Sequence, residues 1–408
     1  RNKVEVFDIQ REAVTSGFVK VEKTKQQCGS TFDKGFSKAP VPRLINPRGP
    51  RFNCLLGQYT VACEHTIYKN IGHLFDMPCI AKGMNMETRA SVLWTQWTSF
   101  VDPVCVGMDA SRFDQHTSKL PLEFEHSLIR EHFPGDKTLK WLLKAQLNNL
   151  MFGRVKDGFL RAELQDMRMS GDMNTALGNC VITSAMLWMR IRALGIRAYA
   201  LVDGDDSVLI MERADYERYA EGAAEFYAQF GYNMEIEAPV DCFEQIVFCQ
   251  TQPVWAGDHW RMVRDPRKAL NNDYAGYQSC KSPVYVRSLF HAIGSAGLSL
   301  CSGVPVMQAF YNMGLRIGSP NRSRRLLELQ FHGWHHLSRM EGKKKSKPVT
   351  TDARLSFWRA FGISPATQAA LEAHFDGLQF NFSVQQAPGE NQEILSYTAL
   401  PIATEAIC

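Results

Sequence analysis

The segment Leu201-Val-Asp-Gly-Asp-Asp-Ser-Val-Leu-Ile210 constrains this chain more than any other. Apolar residues flank Asp203, Gly204, Asp205 and Asp206 on both sides, the pattern of two buried strands joined by a glycine turn. A solvated acidic turn predicts polar flanks instead. Three carboxylates at one tip between buried strands repel one another and lose hydration, and a divalent cation is the usual compensation. The fold is therefore expected to hold a hairpin whose tip faces a cation.

Two further segments carry matching chemistry. Val101–Asp109 reads as a short buried strand that ends on a carboxylate, with Asp114 five residues on, past a turn. Alone, such a pair is more often a solvated turn. Ser170-Gly171 opens a loop that runs into a long apolar helix, where Thr175 and Asn179 share one face. An N-cap at Ser170 or Asp172 explains part of this pattern, and small polar side chains on one side are also what a reader of sugar hydroxyls needs. Two carboxylate clusters on separate strands can hold two Mg²⁺ ions ~3.5–4 Å apart, the arrangement for in-line displacement at a phosphate. No Walker-type Gly-x4-Gly-Lys-Ser/Thr loop occurs, which argues against a P-loop NTPase.

Charge is segregated beneath a net +4 over 408 residues. Residues 1–51 hold 11 Lys+Arg against 5 Asp+Glu, and residues 316–347 hold 9 against 2. Basic segments flanking an acidic middle suggest a polyanionic partner. The 45% hydrophobic and 22% charged residues exclude a disordered or collagen-like chain. Eleven cysteines without a CxxC pair argue against a zinc ribbon and for reduced, mostly buried thiols. His65, His116, His126 and His132 show no metal spacing. No apolar run reaches the ~18–20 residues of a membrane span. The chain opens on Arg1 rather than Met, which predicts a fragment whose membrane attachment comes from missing sequence or a partner.

Periodicity predicts helix through most of 52–100, helices over Leu120–Phe133 and Lys137–Leu150, and a strand or hairpin in 151–169 with Lys156-Asp-Gly158 as a turn. It then predicts a helix ending near Gly195, a strand–turn–strand over Arg197–Ile210, and a helix over Asp215–Phe230. A hairpin follows within Val247–Val263, and helices from Pro283, interrupted by the basic loop Gly342–Pro348. The tail after Phe382 reads as polar and loosely ordered.

The order Asp109-x4-Asp114, Ser170-Gly-x3-Thr175-x3-Asn179 and Gly204-Asp205-Asp206 resembles motifs A, B and C of viral RNA-dependent RNA polymerases, and the longer strings Gly107–His116 and Met169–Asn179, with Lys347–Phe357 near the end, resemble the same family. The likeness is to positive-strand RNA viruses, specifically the readthrough replicase of the tombusvirus family. The resemblance implies an α+β right-hand fold, with a palm of antiparallel sheet plus helices. Fingers would span 1–103, the motif A palm 104–119, a fingers/palm insertion 120–165, the palm with motifs B to E 166–262, and thumb and tail 263–408. It implies that Asp109 and Asp205 are the principal ligands of two Mg²⁺ ions, for which Mn²⁺ substitutes, with Asp206 secondary. Asp114, Ser170, Thr175 and Asn179 would select the ribose 2′-OH, which marks a ribonucleotide. Lys20, Lys23 and Arg43 would hold the NTP triphosphate, although Pro40 stands where flavivirus-type enzymes have a Lys; Lys34 or Lys38 would replace it. Gly231–Glu235 would be motif D, and Phe248, Cys249 and Gln250 motif E. Many relatives have Asn where Asp203 stands.

The implied partners are RNA template and product, NTPs, a viral auxiliary replicase protein and host factors. The implied location is host cytoplasm, in membrane-associated replication complexes. A reverse transcriptase shares the palm logic, but typically carries an aromatic residue before its Asp-Asp pair and lacks a 2′-OH selector. A non-catalytic RNA-binding protein accounts for the basic segments, not for carboxylates on apolar strands. The Lys343–Lys347 run reads as a solvated loop, or one that tracks RNA or a partner.

Overall fold

The computed structural model describes residues 9–20, 43–155, 157–274, 282–321, 332–386 and 393–399. The chain divides into two compact units, residues 1–82 with 96–239, and residues 83–95 with 240–408. Both mix helix and strand.

The first unit opens with α1 (Ile9–Glu12), β1 (Thr15–Val19), β2 (Leu44–Ile45) and α2 (Pro50–Leu74). Proline at the first helical position of α2 sits where its missing N–H costs nothing. After α3 (Met86–Trp97), most of which belongs to the second unit, come β3 (Pro103–Ala110), α4 (Phe113–His116), α5 (Lys119–Glu131), α6 (Lys137–Ala145), β4 (Asn148–Val155) and β5 (Gly158–Gln165). Then follow α7 (Thr175–Leu194), β6 (Ala198–Asp203), β7 (Asp206–Glu212), α8 (Arg213–Ala220), α9 (Ala223–Ala228) and β8 (Met234–Ile236).

The central sheet runs β6-β7-β3-β8, antiparallel throughout. Strands β6, β7 and β3 are mostly buried because Ala200, Leu209 and Val106 share one core with Cys180, Leu187 and Ile191 of α7 and with Tyr219 and Tyr227 of α8 and α9. A second sheet runs β2-β1-β4-β5, with β1 parallel to β4. The β4–β5 hairpin closes at Val155↔Gly158, at the predicted turn.

The helix expected over Lys137–Leu150 ends at Ala145 instead. Buried Asn149 explains the stop: its amide donates to the carbonyls of Gln146 (3.0 Å) and Met167 (3.1 Å), which a continued helix would not allow. The helix expected over Asp215–Phe230 is broken at Glu221-Gly222. Buried Arg190 stabilises the break by donating to the carbonyls of Tyr219 and Glu221, both at 2.5 Å.

The second unit holds the hairpin β9 (Thr251–Trp255) and β10 (Trp260–Arg264), then α10 (Pro266–Asn272), α11 (Pro283–Cys301), α12 (Met307–Ile317), α13 (His332–Glu341), α14 (Thr351–Phe361) and α15 (Pro365–Gly377). Within the tail expected to be loosely ordered, the described residues pair as two antiparallel strands, β11 (Phe380–Gln386) and β12 (Glu393–Ala399). Their register sets Phe382 opposite Tyr397 and Val384 opposite Leu395, an alternation that the polar composition conceals.

The Lys-rich loop is a pinned strap. Lys344 bonds Glu87 (2.7 Å) and Lys347 bonds Asp258 (2.8 Å). Ser302 donates to the Lys345 carbonyl (2.6 Å), and Gln308 both donates to and accepts from the Lys347 backbone. These ion pairs are partly solvated, so Lys344→Met and Lys347→Met should each cost less than about 1 kcal/mol. Thermal melts at low and high salt check this, the deficit shrinking as salt rises.

Candidate active site

β3 delivers Asp109 to the end of the central sheet. β3 and β7 pair as far as Met108↔Ser207, so Asp109 and Asp206 follow next in the same register. β6 and β7 close with Asp203↔Asp206, leaving Gly204 and Asp205 as a two-residue turn. Gly204 has φ +80°, which a side chain would oppose, and it stands at the first turn position as in a type II′ hairpin. Asp109 also faces Glu235 directly across β8, and Glu237 lies close enough for Asp109 to raise its proton affinity further above what burial alone produces. Partial burial likewise pushes the Asp205 carboxyl above its ordinary value, reinforced by Asp114 and Asp109 and opposed by Lys82. This end of the sheet therefore concentrates carboxylates that disfavour one another's charge.

Helix α7 holds both turns. Thr183 donates its hydroxyl to the Gly204 carbonyl (2.9 Å), and the Gly204 N–H donates to Cys180 Sγ (3.2 Å). Burial pushes the Cys180 thiol up to about 12, so the sulfur stays a neutral acceptor. One residue earlier, Asn179 Nδ2 donates to Asp114 Oδ1 (2.9 Å), while Ser170 donates its hydroxyl to Asp114 Oδ2. Between Asp109 and Asp114, Arg112 holds a left-handed conformation (φ 51°), uncommon for a side chain of this size. Thr175 does not join the cluster around Asp114: its hydroxyl donates to the Met169 carbonyl (3.3 Å) and closes its own loop.

The loop bearing Ser170 is fixed from below by buried polar groups. Arg48 donates to Asp172 (2.6 Å), to Asn149 Oδ1 (2.5 Å) and to the Ala13 carbonyl (2.7 Å). Burial pushes the Asp172 carboxyl up, and Arg48 and then Arg168 oppose that shift. Arg168 pairs with Glu125, whose other oxygen accepts from Asn174 (2.5 Å). Gln146 donates to Asn174 (2.7 Å) and contacts His126, which burial pushes down to about 4 and so keeps neutral. Gly171 is needed because a Cβ there would lie 2.9 Å from the Pro47 nitrogen, where the segment after β2 crosses it. That segment also donates from Asn46 N to the Ser170 carbonyl (2.6 Å).

Of the predicted cations, Lys20 and Arg43 come together at the end of the β1–β2 ladder, where Lys20 N–H donates to the Arg43 carbonyl (2.8 Å) and both residues are exposed. Lys23, Lys34, Lys38 and Pro40 lie outside the described residues. Phe248, Cys249 and Gln250 belong to the second unit. There Phe248 and Thr251 exchange backbone bonds of 2.9 and 3.0 Å around a tight turn. Cys249 and Gln250 both have positive φ (48° and 60°), a strain that persists mainly at functional turns.

Sequence reasoning missed Lys82, Arg48, Glu125, Arg168 and Asn174. Glu125 and His126 left a signal: they occupy the apolar face that Leu122 and Ile129 define on α5. Lys82 left none. It reaches the site because Cys79–Ala81 runs alongside β6, with Ala81 N–H donating to the Val202 carbonyl and Val202 N–H to the Cys79 carbonyl, both 2.8 Å. The next residue, Lys82, pairs with Asp203.

Among the described residues no three His, Cys, Asp or Glu side chains converge tightly enough to enclose a metal ion. The donors of Asp109, Asp205 and Asp206 are hard carboxylate oxygens, which fit Mg²⁺, a cation that takes one or two carboxylates together with water and substrate phosphate. No described helix is long and apolar enough to cross a membrane.

A family model described as viral RNA dependent RNA polymerase matches residues 6–383. The chain is 38% identical over 369 residues to the RNA-directed RNA polymerase of Tobacco necrosis virus (strain A), covering 90% of this chain and 49% of the relative. It is 38% identical over 382 residues to that of Melon necrotic spot virus (93% and 47%) and 36% over 365 residues to that of Tomato bushy stunt virus (strain Cherry; 89% and 43%). The chain spans about half the length of the curated relatives it matches.

Proposed function

We propose, from the premise that this chain belongs to the viral RNA-dependent RNA polymerase family, that it copies an RNA template by transferring nucleotides from NTPs to an RNA 3′-OH. The observation that carries this reading is the joint hold of α7 on Asp114 and on the Gly204 turn. A sugar-reading group and a carboxylate tip are thereby fixed on one rigid element, as nucleotidyl transfer requires.

In this reading Asp109 and Asp205 are the main holders of two Mg²⁺ ions, replaceable by Mn²⁺, and Asp206 supports them. The bound ions supply charge stabilisation at the reacting phosphate and lower the proton affinity of the attacking hydroxyl. Asp114 accepts from the ribose 2′-OH while Ser170 and Asn179 keep its carboxylate aimed, and Thr175 holds the loop rather than the sugar. Lys20 and Arg43, with Lys23, neutralise the triphosphate. We assign fingers to 1–103, palm to 104–119 and 166–262 with the insertion 120–165 between, and thumb to 263–408. The tight turn Phe248–Gln250 is motif E. RNA and NTPs are the substrates, an auxiliary replicase protein and host factors the partners, and membrane-associated complexes of the host cytoplasm the location.

The test is RNA synthesis by the purified chain on a defined RNA template with Mg²⁺, with and without a primer. The expected result is product complementary to the template and built from NTPs in preference to dNTPs. RNA binding that is independent of Mg²⁺, with no incorporation on any template, would favour the RNA-binding reading and overturn this one. Preferential dNTP use would favour a reverse transcriptase. In the same assay Asp114→Ala should lower NTP-over-dNTP discrimination ~10- to 100-fold, the worth of one hydrogen bond to a charged group.

A further inference from the structure

The ion pair of Lys82 and Asp203 lies at the base of the carboxylate turn. Asp203 is the residue directly before Gly204, and it is cross-strand partner to Asp206. Its side chain is only 11% exposed and Lys82's 35%, so the pair is partly shielded from water. Its geometry comes from the backbone: the parallel bridge of Ile80 with Val202 puts Ala81 level with Asp203 and leaves Lys82 one residue past the last bond, level with Gly204 and within reach of the Asp203 carboxylate. An Asp at this position would otherwise add a further negative charge, and another hard oxygen donor, to a site already holding Asp109, Asp205 and Asp206. Lys82 is also the cation that opposes the burial of the Asp205 carboxylate.

We propose that Lys82 and Asp203 form a neutral pair that sets the divalent-cation affinity of the carboxylate turn. Lys82 offsets the negative charge of Asp203 beside the metals, and Asp203 offsets part of the ammonium charge that reaches Asp205. The pair is a positioning device, not part of the chemistry, and it rests on reading Asp109 and Asp205 as metal ligands. Removing Asp203 leaves the Lys82 charge facing the ions. Removing Lys82 leaves Asp203 to attract them. Removing both restores the balance, as the sum of two opposite unit charges requires.

The probe is Mn²⁺ alone, titrated into the full chain without RNA or NTP, with free Mn²⁺ read by electron paramagnetic resonance. Asp203→Asn should weaken Mn²⁺ binding about three- to tenfold and Lys82→Met should tighten it by a similar factor, as expected for one unit charge near a divalent ion under partial screening. The double variant should return within about twofold of the parent, and Lys82→Arg should match the parent throughout. If Asp205→Ala abolishes Mn²⁺ binding while both single variants stay within about twofold of the parent, the proposal is overturned and the metal site stands. If the parent shows no Mn²⁺ binding that depends on Asp205, the metal reading itself fails and the proposal falls with it. Melting curves of the single variants separate either outcome from unfolding, and Asp203→Asn, a near-isosteric change, keeps the test alive should Lys82→Met fold poorly.

Discussion

Asp205→Ala should reduce templated nucleotide incorporation by about 10³-fold or more while leaving the chain folded. The chemical argument is that a carboxylate holding a divalent ion contributes several kcal/mol of transition-state stabilisation, and each ~1.4 kcal/mol is tenfold in rate. The folding argument runs the other way. Burial, together with Asp114 and Asp109, raises the Asp205 proton affinity above its ordinary value. A carboxyl that binds its proton more tightly folded than unfolded contributes stability at low pH and loses it as pH rises through the raised value. At pH 7 in metal-free buffer, Asp205 is therefore a net cost to the folded chain. The alanine variant should melt at the parent's temperature or above it near neutrality, and the advantage should vanish as pH falls toward the ordinary carboxylate range. Scanning calorimetry across pH checks the stability half, and a quenched single-turnover assay the chemical half. A variant that lost activity only because it melted early would refute the assignment.

Arg48→Met should be the most destabilising of the substitutions considered, at about 3–5 kcal/mol. Methionine fills much of the arginine's volume, so the loss is mainly that of charge and hydrogen bonds. Arg48 is 3% exposed, and its guanidinium serves Asp172, Asn149 and the Ala13 carbonyl together. Without it, Asp172 keeps a buried charge whose nearest remaining cation is Arg168, already paired with Glu125. The melting temperature should fall on the order of 10 °C. The double variant Arg48→Met/Asp172→Leu should lose less than the two single variants summed, because no charge is then stranded. Asp172 shares its loop with Ser170, so any residual activity of Arg48→Met should also discriminate less well between NTP and dNTP. Equal additivity of the two single changes would show that the pair is not coupled.

What the chain reveals before folding depends on whether its signal is local. The Gly204 hairpin, the end of α7 at Gly195 and the strand carrying Asp109 all announce themselves, because a few neighbouring residues decide each one. The convergence of Asp114, Ser170 and Asn179 followed from the resemblance to the polymerase motifs rather than from local pattern, and the structure brings those three together while turning Thr175 back onto Met169. The early end of α6 was not legible, since Asn149 stops that helix through partners at Met167 and Arg48 that only the tertiary fold supplies. Lys82 follows an unremarkable apolar run, and its value arises from a strand neighbour more than a hundred residues away. The Lys-rich strap is exposed at Lys343, Lys345 and Lys347, as a solvated loop should be, but its anchoring was not legible. Four lysines in five residues look solvated, yet Glu87 and Asp258, distant in sequence, claim two of them.

The bonds along α7 also limit how this region can vary over generations. A residue added to or lost from a helix turns everything beyond it by about 100° and shifts it 1.5 Å. Between Thr175 and Thr183, such a change would swing Asn179, Cys180 or Thr183 off its partner and detach Asp114, the Gly204 peptide or both in a single event. Beyond Thr183, the same change would spare these bonds and fall instead on apolar packing and on the Arg190 bonds to the Tyr219 and Glu221 carbonyls, away from the carboxylates, whereas the stretch from Thr175 to Thr183 has no such latitude. That stretch is therefore inherited as a fixed-length unit: its letters can drift, but its count cannot.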